Sequence, residues 1–304
     1  MLIRKVRALI NLLHDIRSRL EFVQIALGRV EERQVRATSA RIFHESEYKV
    51  FSQWGEDGLI QRLIQEIPIQ NTLFVEFGVQ DYTEANTRYL LVNNNWSGLV
   101  IDGDAQHIAS IRQSSIYWRY NLKAECAFID RDNINALISS AGISGDIGLL
   151  SVDLDGNDYW VWEAINSILP RIVILEYNAL FGPRAAISVP YEPEFIRSHA
   201  HSSNLYWGAS LTALTQLSNQ KGYALVGCNS SGNNAFFVRR GVLGGLQEVT
   251  AEKAFVAAQF RESRDAGGNA TFLDRESALR LIVSMDVWDF GQGRLAQLGQ
   301  CVRE

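Results

Sequence analysis

One stretch constrains the fold more than any other. An apolar run at residues 72–77 contains Glu76, Gly78 follows it directly, and Asp81 lies three residues after Gly78. The β-branched and aromatic composition of the run predicts a buried strand, and residues 82–92 can form a helix. Gly78 is therefore expected at a strand-to-helix junction. Ligands bind at such junctions in open α/β sheets, because glycine lets the backbone approach closely and a helix N-terminus offers free N–H groups.

The glycine loop does not have the spacing of a dinucleotide fingerprint. Gly78 is followed by Gln80, Tyr82 and Thr83, so the pattern Gly-x-Gly-x-x-Gly is absent. This absence weakens the case for a pyrophosphate site. One glycine with flanking acids suits a smaller ligand that carries an amine, hydroxyls and an adenine. The alternative interpretation of Gly78, a purely structural turn glycine, stays open.

Length and charge narrow the class of protein. A chain of 304 residues is long enough for one large α/β domain with appendages or for two small domains. The net charge of −5 argues against a nucleic-acid partner. Cys126, Cys228 and Cys301 form no CxxC or Cys/His cluster, so neither a disulfide framework nor a zinc site is indicated. We expect a cytoplasmic protein, since no apolar run has the length of a membrane span and the N-terminus lacks the apolar core of a signal peptide.

Residues 1–36 predict a long N-terminal helix that forms a coiled coil. In the heptad repeat of this helix, most a positions are Leu and the d positions are mostly β-branched. This combination favours coiled coils of more than two chains, so residues 6–30 predict a homo-oligomer. Two alternatives stay open: a helix that packs on its own domain, and a basic amphipathic helix in peripheral contact with the inner face of a membrane. The heptad positions are Val6, Leu9, Leu13, Ile16, Leu20, Val23, Leu27 and Val30.

Downstream, apolar strands alternate with helical patterns, which predicts a parallel sheet. A short Asn/Ser/Gly connector at 229–234 requires a hairpin between the last two strands, so the final strand is antiparallel. The predicted fold class is α/β, a Rossmann-like seven-stranded sheet. The predicted domains are the helix at 1–36, the Rossmann-like domain at 37–245 and a helical appendage at 246–304. The predicted strands are 72–77, 99–102, 126–130, 147–155, 172–177, 223–228 and 235–239.

Carboxylates follow four of these strands. The carboxyl ends of parallel strands share one edge of a sheet, so these side chains should converge. For any single acid, the alternative role is to cap a helix N-terminus. Asp102 ends the strand after the glycine loop, where nucleotide-binding α/β folds hold a ribose. The acids are Asp81, Asp102, Asp104, Asp153, Asp155 and Glu176.

Two further sets of residues are candidates, one for metal binding and one for general base catalysis. The run that begins at Asp153 lacks the spacing of an EF-hand. Asp153, Glu176 and Asn178 nevertheless form a candidate Mg²⁺ site, because they would lie on adjacent strand ends and offer oxygen ligands. Such an ion could lower the pKa of a substrate hydroxyl. His199 and His201 are candidate general bases, and a role as ordinary surface residues is equally open.

Several motifs together resemble the FkbM-like S-adenosylmethionine-dependent methyltransferases. The resemblance covers about residues 52–239 and implies the class I methyltransferase sheet. It also implies methyl transfer to oxygen, often on a sugar or a sugar-bearing product. One position departs from the family pattern, since Tyr82 stands where the family usually has glycine after Asp81. The matching segments are 52–57, 75–81, 86–87, 96–102, 152–158, 176–178 and 208–211.

The resulting hypothesis is an O-methyltransferase that acts on a carbohydrate or glycosylated acceptor, such as a surface polysaccharide. Asp153, Glu176 and Asn178 would orient the acceptor or hold the metal, and His199 or His201 would take its proton. A catalytically inactive binding or assembly protein and a nicotinamide-dependent enzyme are the alternatives. The predicted S-adenosylmethionine-binding residues are Gln53, Glu76, Gly78, Asp81, Asn86, Thr87, Asp102 and Asp153.

Overall fold

The computed structural model describes residues 2–38 and 42–302. Seven strands form one sheet in the order β3-β2-β1-β4-β5-β8-β7, and a smaller sheet has the order β10-β9-β6. The strands are β1 Leu73–Phe77, β2 Ser97–Asp102, β3 Leu122–Cys126, β4 Gly145–Val152, β5 Ile168–Glu176, β6 Ile187–Ser188, β7 Tyr223–Cys228, β8 Asn234–Arg239, β9 Asp286–Asp289 and β10 Arg294–Gln297.

The seven-stranded sheet has the predicted class I methyltransferase-type topology. Strands β1 to β5 pair in parallel, and β8 runs antiparallel to both β5 and β7. The connector at 229–234 is too short for a crossover, so β7 and β8 form a hairpin at the sheet edge. The predicted fold class is therefore confirmed.

The sheet is covered on both faces, as a largely parallel sheet requires. Successive strand residues point to opposite faces, so Val75 and Phe77 belong to one apolar cluster and Phe74 to the other. The helices are α1 Leu2–Thr38, α2 Glu56–Glu66, α3 Arg88–Asn94, α4 Ala105–Gln113, α5 Ser115–Arg119, α6 Ile134–Ser140, α7 Asp158–Ala164, α8 Arg197–Ala200, α9 Leu211–Gln220, α10 Ala251–Ala254, α11 Arg275–Ile282 and α12 Leu298–Cys301.

Strand β3 differs from its prediction. The sequence analysis put it at 126–130, whereas it occupies Leu122–Cys126. Buried Leu122 and Ala124 alternate with exposed Lys123 and Glu125, which is the pattern of a half-buried strand. The more apolar segment at 127–129 instead forms a loop at the carboxyl end of β3. The apolar segment therefore forms part of the wall of a cavity and not a strand.

The helix after the glycine loop also starts later than predicted. Helix α3 begins at Arg88, ten residues beyond Gly78, instead of near Tyr82. Gly78, Gln80 and Tyr82 have φ values of 70°, 49° and 62°, which a right-handed helix cannot contain. No helix N-terminus lies next to Gly78 in the described chain. The glycine loop is held instead by side chains.

Tyr82 keeps the backbone conformation that glycine adopts freely. Its side chain is 1% exposed, and its hydroxyl lies 2.8 Å from Thr87 Oγ1. Burial of the large ring offsets the cost of a positive φ, which is of order 1 kcal/mol or more for such a residue. The departure from the family glycine therefore leaves the turn in place, with the tyrosine ring packed in the core.

The C-terminal appendage, predicted as helical, is mixed. It contains the short helices α10, α11 and α12, and a hairpin of β9 and β10 lies between α11 and α12. Strand β9 pairs with β6, so the hairpin extends a sheet that begins within the main domain. Ile187, Ile282, Val287 and Leu298 share one buried cluster. The helical prediction missed this hairpin, because each of its strands has only four residues.

Helix α1 packs on the domain through its second half. Gly28 allows this close approach, since a Cβ there would lie 2.5 Å from Val50 Cγ2. Glu21 accepts a hydrogen bond from Arg88 at 2.9 Å, and Ile25 packs beside Val50. The eight heptad positions are 43–63% exposed, although Leu13, Ile16 and Leu20 line a shallow cavity together with residues of the domain. No helix in the described residues is both long and apolar enough to cross a membrane.

Candidate functional site

A cavity of about 420 Å³ opens at the carboxyl ends of β1, β2, β4 and β5. It lies at the sheet edge where the sequence analysis placed the converging acids. We call the part beside β1 and β2 the glycine side, and the part beside β4 and β5 the acidic side. The lining residues include Gln53, Trp54, Gly78, Gln80, Asp102, Gly103, Phe128, Asp153, Asp155, Asn157, Glu176, Phe195, Arg197, Asn233, Phe260 and Glu262.

Gly78 joins the two sides. Its N–H donates to the carbonyl of Ile101 at 3.0 Å, which continues the pairing with β2. A Cβ at this position would lie 1.8 Å from the carbonyl oxygen of Asp153. Contacts that short do not occur, so only glycine allows the ends of β1 and β4 to approach this closely.

Asp102 is the central acid of the glycine side. Its carboxylate accepts hydrogen bonds from Gln80 N at 2.7 Å and Asp104 N at 2.9 Å. His107 Nδ1 lies 3.2 Å from the same carboxylate. Each carboxylate oxygen has two acceptor positions, so the carboxylate keeps capacity for a ligand in the cavity.

Phe128 forms an apolar wall beside Asp102. The residue lies in the loop after β3 and is 49% exposed, which is unusual for so large an apolar side chain. Gly103 and Ile129 line the same region. An exposed aromatic ring beside an acid at a strand end is a platform on which a planar base can stack.

Glu76 holds the glycine loop and does not line the cavity. Its carboxylate accepts hydrogen bonds from Asn86 N at 2.8 Å, Thr87 N at 3.1 Å and Thr87 Oγ1 at 2.5 Å. Burial raises the pKa of Glu76 to about 7, and these hydrogen bonds oppose that rise. The predicted direct contact of Glu76, Asn86 and Thr87 with a ligand is therefore corrected to support of the loop.

Asp81 is also outside the described lining of the cavity. It accepts hydrogen bonds from the backbone N–H and the hydroxyl of Thr83, and the hydroxyl lowers the pKa of Asp81. The carboxylate thus closes a local turn at the surface. Of the predicted ligand-binding residues, Gln53, Gly78, Asp102 and Asp153 line the cavity.

The acidic side contains three carboxylates in close proximity. One oxygen from each of Asp153, Asp155 and Glu176 lies within 4.8 Å of the other two. Glu176 Oε2 is buried and has no hydrogen-bond partner within the described residues. Burial and then repulsion from neighbouring acids raise the pKa values of Asp153 and Glu176 well above their usual range. Within the described residues, Asp153 and Glu176 therefore lack the backbone N–H donors that Glu76 and Asp102 have.

Arg197 neutralises other acids of the same side. Its guanidinium donates to Asp155 Oδ1 at 2.9 Å and to Glu262. It also lies 4.5 Å from the ring centroid of Trp207. Its bonds to Asp155 and Glu262 leave Asp153 and Glu176 without an ion pair to it. The sequence analysis missed Arg197 and Glu262, because they come from segments far apart in the chain.

Asn178 and the two histidines lie elsewhere than predicted. The carboxamide of Asn178 donates to the carbonyls of Leu205 and Trp207, both at 3.0 Å, and accepts from Leu180 N at 3.0 Å. It therefore holds a loop, and it is not among the described lining residues of the cavity. Neither His199 nor His201 is among the described lining residues, and His201 bonds to Ser203 at 2.7 Å. The predicted general base is not at this cavity.

A segment from the C-terminal appendage covers the acidic side. The ring of Phe260 stacks on Trp54 with centroids 5.3 Å apart and an interplanar angle of 13°. Gln259 N donates to the carbonyl of Ser231 at 2.9 Å, and Tyr177 donates to the carbonyl of Val256 at 2.8 Å. The segment was predicted as an appendage, and it supplies part of the cavity wall.

Comparison with known proteins gives structural similarity at low sequence identity. The chain matches no protein-family profile and no curated protein sequence. The N-terminal domain of EvdMO1 with SAH bound shares 10% identity over 69% of this chain and 94% of that chain, with a TM-score of 0.40. A methyltransferase of Clostridium acetobutylicum shares 11% identity over 72% and 98%, with a TM-score of 0.38.

An O-methyltransferase of Bacillus cereus in complex with SAH shares 13% identity over 69% of this chain and 88% of that chain, with a TM-score of 0.39. The assignment to the class I methyltransferase-type fold rests on the strand order and on the antiparallel position of β8.

Proposed function

We propose that the chain is an S-adenosylmethionine-dependent methyltransferase that methylates a hydroxyl of a carbohydrate or glycosylated acceptor. The observation that supports this most is the division of one cavity into two chemically different sides. The glycine side has Gly78, Asp102 and an exposed aromatic ring, and the acidic side has uncompensated carboxylates. A reaction between a nucleoside cofactor and a polar acceptor needs both sides in one cavity.

On the glycine side, each element of the cofactor has a suitable partner. Asp102 would accept hydrogen bonds from the ribose hydroxyls, as acids at this strand end do in nucleotide-binding folds. Phe128 would stack on the adenine. Gly78 would let the methionine end pass close to the backbone. The absence of a glycine-rich pyrophosphate loop argues against the nicotinamide alternative.

On the acidic side, the carboxylates would orient the acceptor. In the reaction, the methyl carbon leaves the sulfonium sulfur and bonds to the acceptor oxygen, and the hydroxyl proton is released. The products are the demethylated cofactor and a methyl ether. Positioning of the oxygen in line with the methyl group and removal of its proton account for most of the catalysis. Asp153 and Glu176 would perform both tasks.

Calorimetry with S-adenosylmethionine and its demethylated product tests the proposal. We expect Asp102→Ala to weaken the affinity at least about tenfold, because hydrogen bonds to a charged group contribute about 1.5–3 kcal/mol. Asp104→Ser is the matched control, since Asp104 lies two residues away, caps α4 through Gln106 N and is outside the described lining. Absence of heat with both compounds, but heat with a nicotinamide dinucleotide, would favour the alternative enzyme class.

Methyl transfer itself needs a separate assay. Cell extract incubated with the protein and labelled cofactor should yield a labelled product, which mass spectrometry can identify as a methyl ether of a sugar. Cofactor binding without any labelled product across extracts would support a catalytically inactive binding protein. A labelled product without a sugar would retain methyl transfer and refute the carbohydrate acceptor.

We also propose that the exposed heptad face of α1 forms a homo-oligomeric coiled coil of three or four chains. The face is regular from Val6 to Val30, and its eight heptad positions are 43–63% exposed. Light scattering should show a lower mass for Leu20→Glu than for the wild type. Phe22→Glu is the control, since Phe22 is 71% exposed and outside the heptad positions.

A monomeric wild type would refute this assembly. Salt-sensitive binding of that monomer to anionic vesicles would then favour the peripheral membrane alternative for α1, whose residues 2–20 include Arg4, Lys5, Arg7, Arg17 and Arg19 against Asp15.

A further inference from the structure

We propose that Asp153, Asp155 and Glu176 bind one divalent cation of the oxygen-preferring class, Mg²⁺ or Mn²⁺, on the acidic side of the cavity. The role of this cation in orienting an acceptor rests on the proposed function, whereas its binding does not. The three residues come from the ends of β4 and β5, which the sheet places side by side.

The distances suit such an ion. Mg²⁺ binds oxygen at about 2.0–2.1 Å in octahedral geometry, so its ligands lie between about 3 and 4 Å apart. One oxygen from each of the three carboxylates lies within 4.8 Å of the others, so small side-chain rotations bring them into range. The cluster offers carboxylate oxygens, which are the ligands of Mg²⁺ and Mn²⁺ rather than of metals that prefer nitrogen or sulfur.

A second observation concerns Glu176 alone. The residue is 8% exposed and lines the cavity, yet its Oε2 accepts no hydrogen bond in the described part of the chain. A buried carboxylate oxygen without a donor is costly, because water is removed and nothing replaces it. A bound cation would supply the missing partner.

The charges around the three acids also favour a bound cation. Arg197 is already bonded to Asp155 and Glu262, and it is the basic residue among the described lining residues. Asp153 and Glu176 therefore have no basic side chain of their own among the described lining residues. A divalent ion would take that place, while Asp155 Oδ1 remains with Arg197.

This ligand set differs from the predicted one. Asn178 was the third predicted ligand, but its carboxamide is hydrogen-bonded to the loop at 205–207 and to Leu180, and it is not among the described lining residues of the cavity. Asp155 takes its place. The open cavity above the cluster leaves coordination positions for water or for two neighbouring oxygens of an acceptor, as in the vicinal diol of a sugar.

Titration of the full-length protein with Mn²⁺ alone tests the inference, with free Mn²⁺ followed by electron paramagnetic resonance and no cofactor present. We expect one equivalent to bind and Mg²⁺ to compete for it. Glu176→Gln keeps the side-chain shape, and it should weaken Mn²⁺ binding at least about tenfold, since even outer-shell changes cost 10–100-fold. Asp155→Asn, which can still accept from Arg197, should do the same.

Asp102→Asn is the matched control from the glycine side. It should keep the Mn²⁺ affinity of the wild type while its S-adenosylmethionine affinity falls. Circular dichroism of each variant confirms that it is folded. Failure of the wild type to bind stoichiometric Mn²⁺, or equal affinity in Glu176→Gln, overturns the inference.

Different results would refute the cation site and the proposed function. Mn²⁺ binding without any heat from S-adenosylmethionine would keep the cation site and refute the proposed function. Cofactor binding without Mn²⁺ binding would refute the cation site and keep the proposed function.

Discussion

At the glycine side of the cavity, Glu76 accepts three hydrogen bonds and Asp102 is held by the N–H groups of Gln80 and Asp104. At the acidic side, Asp153 and Glu176 face each other, and Glu176 Oε2 has no donor in the described structure. In both regions, acids lie at strand ends. Backbone N–H groups turn the acids of the first region into parts of the scaffold, whereas those of the second region remain available to a ligand.

The largest effect is expected where the two sides meet. Gly78→Ala should destabilise the protein by at least about 3 kcal/mol, because the added Cβ would lie 1.8 Å from the carbonyl of Asp153. Gly145→Ala is the control, since Gly145 also has a positive φ, 69°, but a Cβ there meets no atom within 4 Å. Its cost should be that of backbone strain alone, about 1 kcal/mol.

Chemical denaturation measures both losses. Equal losses in the two variants would mean that the ends of β1 and β4 can separate without cost, and the two sides of the cavity would then not be rigidly joined.

A pair of isosteric substitutions tests the comparison directly. Glu76→Gln should lower the free energy of unfolding by about 2 kcal/mol, because its single carboxamide oxygen cannot accept both from Asn86 N and from the donors of Thr87. Glu176→Gln should raise it by about 1 kcal/mol in buffer without divalent cations, since it replaces a buried carboxyl group whose charged form is disfavoured by burial and by the neighbouring acids.

Denaturation midpoints at one pH report both changes. A similar loss of stability in the two variants would show that Glu176 is as well compensated as Glu76, and the division into two sides would fail.

A smaller effect is expected from the pH dependence of Asp57. This buried acid is intermediate between Glu76 and Glu176, because only one of its two oxygens has hydrogen-bond donors in the part of the chain that the structure describes. Its Oδ2 accepts from Val50 N and Phe51 N at 2.7 Å and from Ser52, while Oδ1 has no partner in the described residues. Burial raises the pKa of Asp57 from 3.8 to about 6, and those hydrogen bonds oppose the rise. The folded state thus favours the protonated form, which Oδ1 can carry.

The sign of the pH effect follows from this rise. The contribution of Asp57 to stability is complete below about pH 4 and is lost as the pH increases through 6. Between pH 5 and pH 8, the stability of the wild type should therefore fall relative to that of Asp57→Asn by about 1–2 kcal/mol, at about 1.4 kcal/mol per pKa unit. Parallel denaturation curves at the two pH values would contradict the raised pKa.

Much of the fold could be predicted from the sequence. The apolar strands that end in Phe77, Asp102 and Glu176, and the short connector before β8, determined a parallel sheet with an antiparallel hairpin. These features are local, because strand patterns and hairpin lengths depend on neighbouring residues. The position of Asp102 at the cavity followed from the same reasoning. The start of α3 did not, because the positive φ values of Gln80 and Tyr82 are unusual for these residue types.

The roles of the acids were decided by tertiary structure alone. Glu76 and Glu176 both end buried strands and are equivalent in pattern, but the first meets the N–H groups of Asn86 and Thr87 and the second does not. The partners of Arg197 are likewise 42 and 65 residues away in the chain. Whether a carboxylate is compensated depends on which distant donors reach it, and a strand pattern contains no information about them.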